Sequence, residues 1–147
     1  MLTHLADPAQ RLAEFASLLE PGGTLLVQET SDLESDEPAL SRYYELVGAF
    51  QAHYRQTLYI GRELLELAAR AGLRVAHFEQ DCFEPPPAAM AELHARNLRT
   101  WGRDPTAISL FGSDTLSELE RKLDEIARGD RPSAVVRAST GLLVVRV

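Results

Sequence analysis

Leu18-Leu-Glu-Pro-Gly-Gly-Thr-Leu-Leu-Val27 puts a helix end, a tight turn and an apolar strand into ten consecutive residues. Upstream, Asp7 can cap a helix with its side-chain oxygen, and Pro8 suits the first turn because no amide donor is needed there. Leu12, Phe15, Ala16 and Leu19 then recur at spacings of three and four, which places them on one helical face. Pro21-Gly22-Gly23 stops that helix. The solid Leu25-Leu26-Val27 centre of Thr24 to Glu29 predicts a strand covered on both faces, as in a parallel sheet. Helix, turn and buried strand in this order are the mark of an α/β fold.

Working outward, Ser31 to Pro38 reads as a polar loop. Leu40, Tyr44, Val47, Phe50 and Tyr54 step at helical spacing and predict a helix from about Ala39 to Tyr54. A further helix is expected from Gly61 to Ala71, capped by Gly72, with a strand from Leu73 to Glu79. Pro85-Pro86-Pro87 is a stiff connector. Met90, Leu93, Asn97, Leu98 and Trp101 then predict a helix from Ala88 to Trp101. Ser113 or Asp114 opens a last helix through Leu116, Leu119, Leu123 and Ile126, which Gly129-Asp130 breaks. Gly141 to Val147 closes the chain as a strand. Ser117 and Glu120 have capping-box spacing but lie a turn too late to act as one.

The 147 residues suit a single domain with its own core, and the longest apolar runs are far short of the ~20 residues that span a membrane. No basic-then-apolar leader opens the chain, so cytoplasm is the expected location and no membrane partner is expected. The net charge of −7, with arginines scattered singly among acids, argues against a nucleic-acid partner. The acidic group Asp32, Glu34, Asp36 and Glu37 reads as a solvated loop. Cys82 is the one cysteine, which excludes an internal disulfide and thiolate metal clusters. His53, His77 and His94 lack ligand spacing, so no metal is expected. No nucleophile elbow or Cys-His pairing marks covalent catalysis, and no catalytic residue is assigned.

Three pieces in order resemble the C-terminal part of class I S-adenosylmethionine-dependent methyltransferases of the small-molecule type. Met1-Leu-Thr-His-Leu-Ala-Asp-Pro8 through Val27 is similar to the end of that family's fourth strand, its helix and the Pro-Gly-Gly turn into strand five, with Glu20 where lysine is usual. Gly61 to Val75 is similar to the helix and entry into strand six, with Leu73 in place of phenylalanine. Gly141 to Val147 resembles the closing strand. Asn97-Leu-Arg-Thr100 followed by an acidic helix is similar to one group of these enzymes. The resemblance implies a partial Rossmann-like sheet of strands five, six and seven, flanked by helices. Its last strand would slot antiparallel between the other two. Segments 30–60 and 85–131 would be helical insertions of the kind that cap a substrate.

The family's cofactor site lies at the strand ends of the first half, in a glycine-rich loop. None of the nine glycines here forms a Gly-x-Gly pair. The chain is therefore expected to be a truncated portion of the fold that does not grip S-adenosylmethionine tightly by itself, although the complete enzyme would use it as methyl donor. Without strand four, Thr24–Glu29 would be an open sheet edge inviting another strand. Partners are then a small-molecule methyl acceptor and a second copy (a dimer or other homo-oligomer) or a cofactor-binding half. By the resemblance, Leu2, His4 and Leu5 fall at the end of strand four, beside the cofactor. Glu29, at the end of strand five, points to the substrate side; Tyr43, Tyr44, Phe50, His53, Tyr54 and Tyr59 form an aromatic stretch that would line or cover the substrate pocket, with Asn97, Arg99 and Trp101 as its opposite wall. The rival reading is a non-catalytic interaction and dimerisation module, and for each residue plain packing or a strand end is the alternative.

Overall fold

A computed structural model of the chain describes residues 2–129 and 134–147. The helices are α1 (Pro8–Ser17), α2 (Pro38–His53), α3 (Leu64–Arg70), α4 (Pro87–Trp101), α5 (Pro105–Phe111) and α6 (Ser113–Ala127); the strands are β1 (Thr24–Ser35), β2 (Val75–Phe83) and β3 (Val136–Arg146). The fold is α/β, with the strand order β1-β3-β2. β3 runs antiparallel to β2, from Val75 opposite Val145 to Phe83 opposite Ala138. It runs antiparallel to β1 as well: Gly22 N–H donates to Val147 O at 2.7 Å at one end, and Asp36 N–H to Val135 O at 3.3 Å at the other. β1 and β2 are thus parallel, with the last strand slotted between them, as the resemblance implies.

The chain forms two compact units. One holds residues up to Asp32, Gln51–Phe83 and Ala138–Val147; the other holds Leu33–Phe50 and Glu84–Arg137. In the first, α1 begins as expected, with the Asp7 side chain accepting the Gln10 N–H at 3.1 Å. Leu12 of α1, Val27 of β1, Leu64 and Leu67 of α3, and Leu143 and Val145 of β3 form its aliphatic core. Each such side chain taken from water contributes about 1.5–3 kcal/mol. A 3-10 turn at Ile60–Glu63 precedes α3. It lies against the sheet because two glycines permit it: a Cβ on Gly61 would come within 2.5 Å of Glu29 O, and one on Gly141 within 2.5 Å of Gly61 O.

In the second unit α4 packs on α6 through Ala91, Ala95 and Leu98 against Leu116, Leu119 and Leu123, all buried. Arg99 fastens the pair, donating to Glu120 at 2.8 Å and to both carboxylate oxygens of Asp124 at 2.6 Å.

Several expectations are corrected. β1 does not end at Glu29 but continues through the segment read as a loop, to Ser35. It is covered on one face: burial alternates along it and Leu26 is 66% exposed. β2 is Val75–Phe83 rather than Leu73–Glu79, because Leu73 N–H still closes α3 on Ala68 O at 2.9 Å. β3 begins at Val136, five residues before Gly141. Helix α5, with Asp104 capping Thr106 N–H at 2.8 Å, was not expected. The buried side of α4 is Ala91, His94, Ala95 and Leu98, whereas Leu93 is 49% exposed. Leu2–His4 is a 3-10 turn, not the end of a strand. The break at Asp130 and the end of segment 85–131 fall outside the described residues, although Gly129 has the left-handed φ of 79°.

Candidate functional site

In the first unit the carboxyl end of β1 meets the amino-terminal turn. Glu29, 8% exposed, accepts the Leu2 N–H at 2.6 Å, and Leu5 N–H closes on Leu2 O at 3.0 Å. A carboxylate holding a backbone donor in a buried place is a strong directional tie. It fixes the backbone of this turn. Leu2 is fully buried in the aliphatic core and Leu5 packs against that core, so both side chains are spent on packing. His4 is exposed, with Nδ1 3.5 Å from Gln56 Oε1. The ring of His53 meets that of Tyr54 edge-on at 5.2 Å, and Tyr54 is 47% exposed. Beyond Glu29, Arg62 Nε donates to Ser31 O at 2.7 Å, its guanidinium pairs with Asp32, and it lies over the Tyr59 ring at 5.0 Å.

The other expected residues, Tyr44, Asn97 and Trp101, belong to the second unit, where α2 and α4 build an aromatic cluster. Tyr43 stacks on His94 with centroids 4.3 Å apart, and Tyr44 meets His94 edge-on at 5.2 Å. Phe50 stacks on Trp101 at 5.1 Å, and Phe111 meets Trp101 edge-on at 6.3 Å. Offset and edge-on pairs of this kind add about 0.5–1.5 kcal/mol each beyond area burial. Asn97 is exposed on α4, beside the Tyr43 hydroxyl. Burial pushes the Tyr43 phenol up, an effect lessened by the polar groups of Trp101 and Asn97.

His94 is the residue that sequence reasoning missed. It is 5% exposed, and neither ring nitrogen has a hydrogen-bond partner. Burial lowers its pKa to about 4, so the ring is neutral at physiological pH. The signal was present: His94 stands three residues after Ala91 and four before Leu98, on the apolar face of α4.

A cavity of about 420 Å³ in the second unit is lined by Pro38, Ala39, Arg42, Thr115, Glu118, Leu119 and Lys122. Its charges are already matched: Arg42 pairs with Glu45 at 2.8 Å and Lys122 with Glu118 at 3.3 Å. Arg121 first, then Lys122, hold the Glu118 carboxyl down at about 2. None of the expected site residues lines it. Among the described residues no group of three His, Cys, Asp or Glu side chains is placed to hold a metal ion, and no helix is long and apolar enough to cross a membrane.

No family model matches the chain. It is similar to the uncharacterized 37.1 kDa protein in transposon TN4556 of Streptomyces fradiae, with 40% identity over 81 residues, 51% of this chain and 22% of that protein. The chain thus spans less than a quarter of the curated relative it matches. Among solved structures it is similar to the cyclopropane synthase MmaA2 from Mycobacterium tuberculosis, with 16% identity and a TM-score of 0.45 over 95% of this chain and 49% of that one.

Proposed function

We propose that this chain is the acceptor-side part of an S-adenosylmethionine-dependent methyltransferase of small molecules, and that it does not hold the methyl donor tightly by itself. The observation that carries the reading is the strand order, with the last strand antiparallel between two parallel ones. The order of the Asp7-Pro8 helix, the Pro-Gly-Gly turn and the Gly72 helix end supports it.

The residues present do not fit a nucleoside cradle. Such a cradle needs glycines whose missing side chains leave room for a ligand. Here the room at Gly61 and Gly141 is taken by backbone of this same chain, and the room at Gly23 by Glu20 O, 2.9 Å from where a Cβ would stand. Gly22, Gly72 and Gly129, with open space around them and left-handed φ, serve turns and helix ends. The acceptor contacts proposed for the chain are then taken unit by unit, His53 and Tyr54 in the first and Tyr44, Asn97 and Trp101 in the second. Positioning an acceptor is the larger part of what such an enzyme supplies.

One observation favours a second reading, a non-catalytic module that pairs with another chain. Among the described residues β1 has a single neighbour in the sheet, and its exposed Leu26 lies in a run without lysine or proline. The occupant would be a second copy or a cofactor-binding half.

The coding sequence directly ahead of Met1 separates the two readings. An in-frame Gly-x-Gly-x-Gly segment following a strand pattern is expected. An in-frame stop codon there overturns the methyltransferase reading in favour of the module.

A further inference from the structure

The cavity of about 420 Å³ between α2 and α6 has all its lining residues in the second unit. That volume falls within the range of small-molecule sites. Its walls are of two kinds. Pro38, Ala39 and Leu119 supply apolar surface, whereas Arg42 of α2 and Lys122 of α6 bring two cations to the same space, and Thr115 a hydroxyl. One carboxylate, Glu118, shares the lining, so two cations and one acid leave it with a formal positive charge in a chain of net charge −7. Glu37, directly ahead of α2, is buried, accepts the Ala39 N–H at 3.3 Å and does not line the cavity.

The pairing of these charges is uneven. Both oxygens of Glu118 are held by the Arg121 fork, at 2.9 and 2.7 Å, and Lys122 is a third and longer partner at 3.3 Å. Arg42 gives one terminal nitrogen to Glu45, three residues on, at 2.8 Å, and both of these side chains are more than half exposed. Exposed pairs of this kind are weak and readily exchanged. Both cations can therefore take a further anionic partner from the cavity side.

We propose that this cavity binds a small organic acid, one carboxylate on an apolar body. The carboxylate lies against Arg42 and Lys122, and the body against Pro38, Ala39 and Leu119. The planar guanidinium offers paired donors to a carboxylate, the ammonium a point charge and the Thr115 hydroxyl a further donor. Glu118 in the same lining repels a second negative charge, which selects a monocarboxylate over a phosphate. The site stands whether or not the chain belongs to a methyltransferase.

The test is an NMR titration of the chain with sodium hexanoate near neutral pH, with hexanol, sodium acetate and sodium phosphate compared at matched ionic strength. Saturable shifts at the amides of Ala39, Arg42, Thr115, Leu119 and Lys122 are expected with hexanoate. Acetate, without the apolar body, and phosphate, with its second charge, should each bind at least about fivefold more weakly. Arg42→Gln and Lys122→Gln, changes at solvent-reached side chains, should each weaken hexanoate binding by about fivefold. Four results would overturn the proposal: no saturable shift with hexanoate, equal shifts with hexanol, phosphate binding as tight as hexanoate, or wild-type affinity in both variants.

Discussion

Two buried ionisable groups, Glu29 of the first unit and His94 of the second, are held in opposite ways. In the first, the Glu29 carboxylate is tied to the Leu2 N–H at 2.6 Å, and the neighbouring backbone is held at Gly61 by contacts too close for any side chain. In the second, His94 is enclosed by Tyr43 and Tyr44 with neither nitrogen bonded. Directional contacts fix a geometry, whereas an aromatic enclosure fixes a volume and leaves a polar ring at a cost. The first arrangement makes stability depend on backbone fit. The second makes it depend on pH.

The largest expected effects probe the cores beneath both arrangements. Leu64 and Leu123 are fully buried, one in each unit, and replacing either by alanine should cost about 3 kcal/mol in urea denaturation. Trp101 fluorescence reports on the second unit. A loss under about 1 kcal/mol for Leu123→Ala would mean that α4 and α6 are not packed as described.

Next comes the pH dependence of the aromatic cluster. The folded His94 pKa of about 4 lies below its ordinary 6.5, so the native state binds its proton less readily than the unfolded chain. The stability from this group is therefore fully present above pH 6.5 and falls as pH drops toward 4. The loss should be on the order of 3 kcal/mol. His94→Phe should flatten that part of the stability profile. An unchanged slope in the variant would assign the acid sensitivity elsewhere.

Smaller effects test the backbone fit of the first unit. Gly61→Ala should cost about 2 kcal/mol in thermal or urea melts, since a Cβ there meets Glu29 O, Ser31 Oγ and Thr30 O at 2.5–2.7 Å. Gly72→Ala meets no atom and should cost only the left-handed strain, about 1 kcal/mol. Equal costs would remove the claim of close approach. Glu29→Ala should cost about 1.5 kcal/mol and speed amide hydrogen exchange at Leu2 through Leu5.

What was legible in the sequence follows from how locally each feature is determined. Asp7-Pro8, Pro21-Gly22-Gly23 and Gly72 act within a few residues, and each stands where expected. The outer parts of the strands were not legible. Thr30 to Ser35 is polar apart from Leu33, and it is a strand because β1 pairs with β3 beyond Glu29, out to the Asp36 N–H that donates to Val135 O. Val136 lies inside the same ladder for the same reason. Helix α5 carried a readable signal, Asp104-Pro105, the same capping pair that marks α1. At the candidate site, sequence placed Glu29 at the end of a strand's apolar run but not its bond to Leu2, which depends on a contact across 27 residues. His94 stood outside the expectations because its importance lies in burial, which no motif records.

Calorimetric titration of S-adenosylmethionine into this chain tests the central claim most directly. The account predicts heats no larger than those of dilution up to about millimolar ligand, because backbone occupies the room at the close-packed glycines. A saturating isotherm in the micromolar range would contradict it.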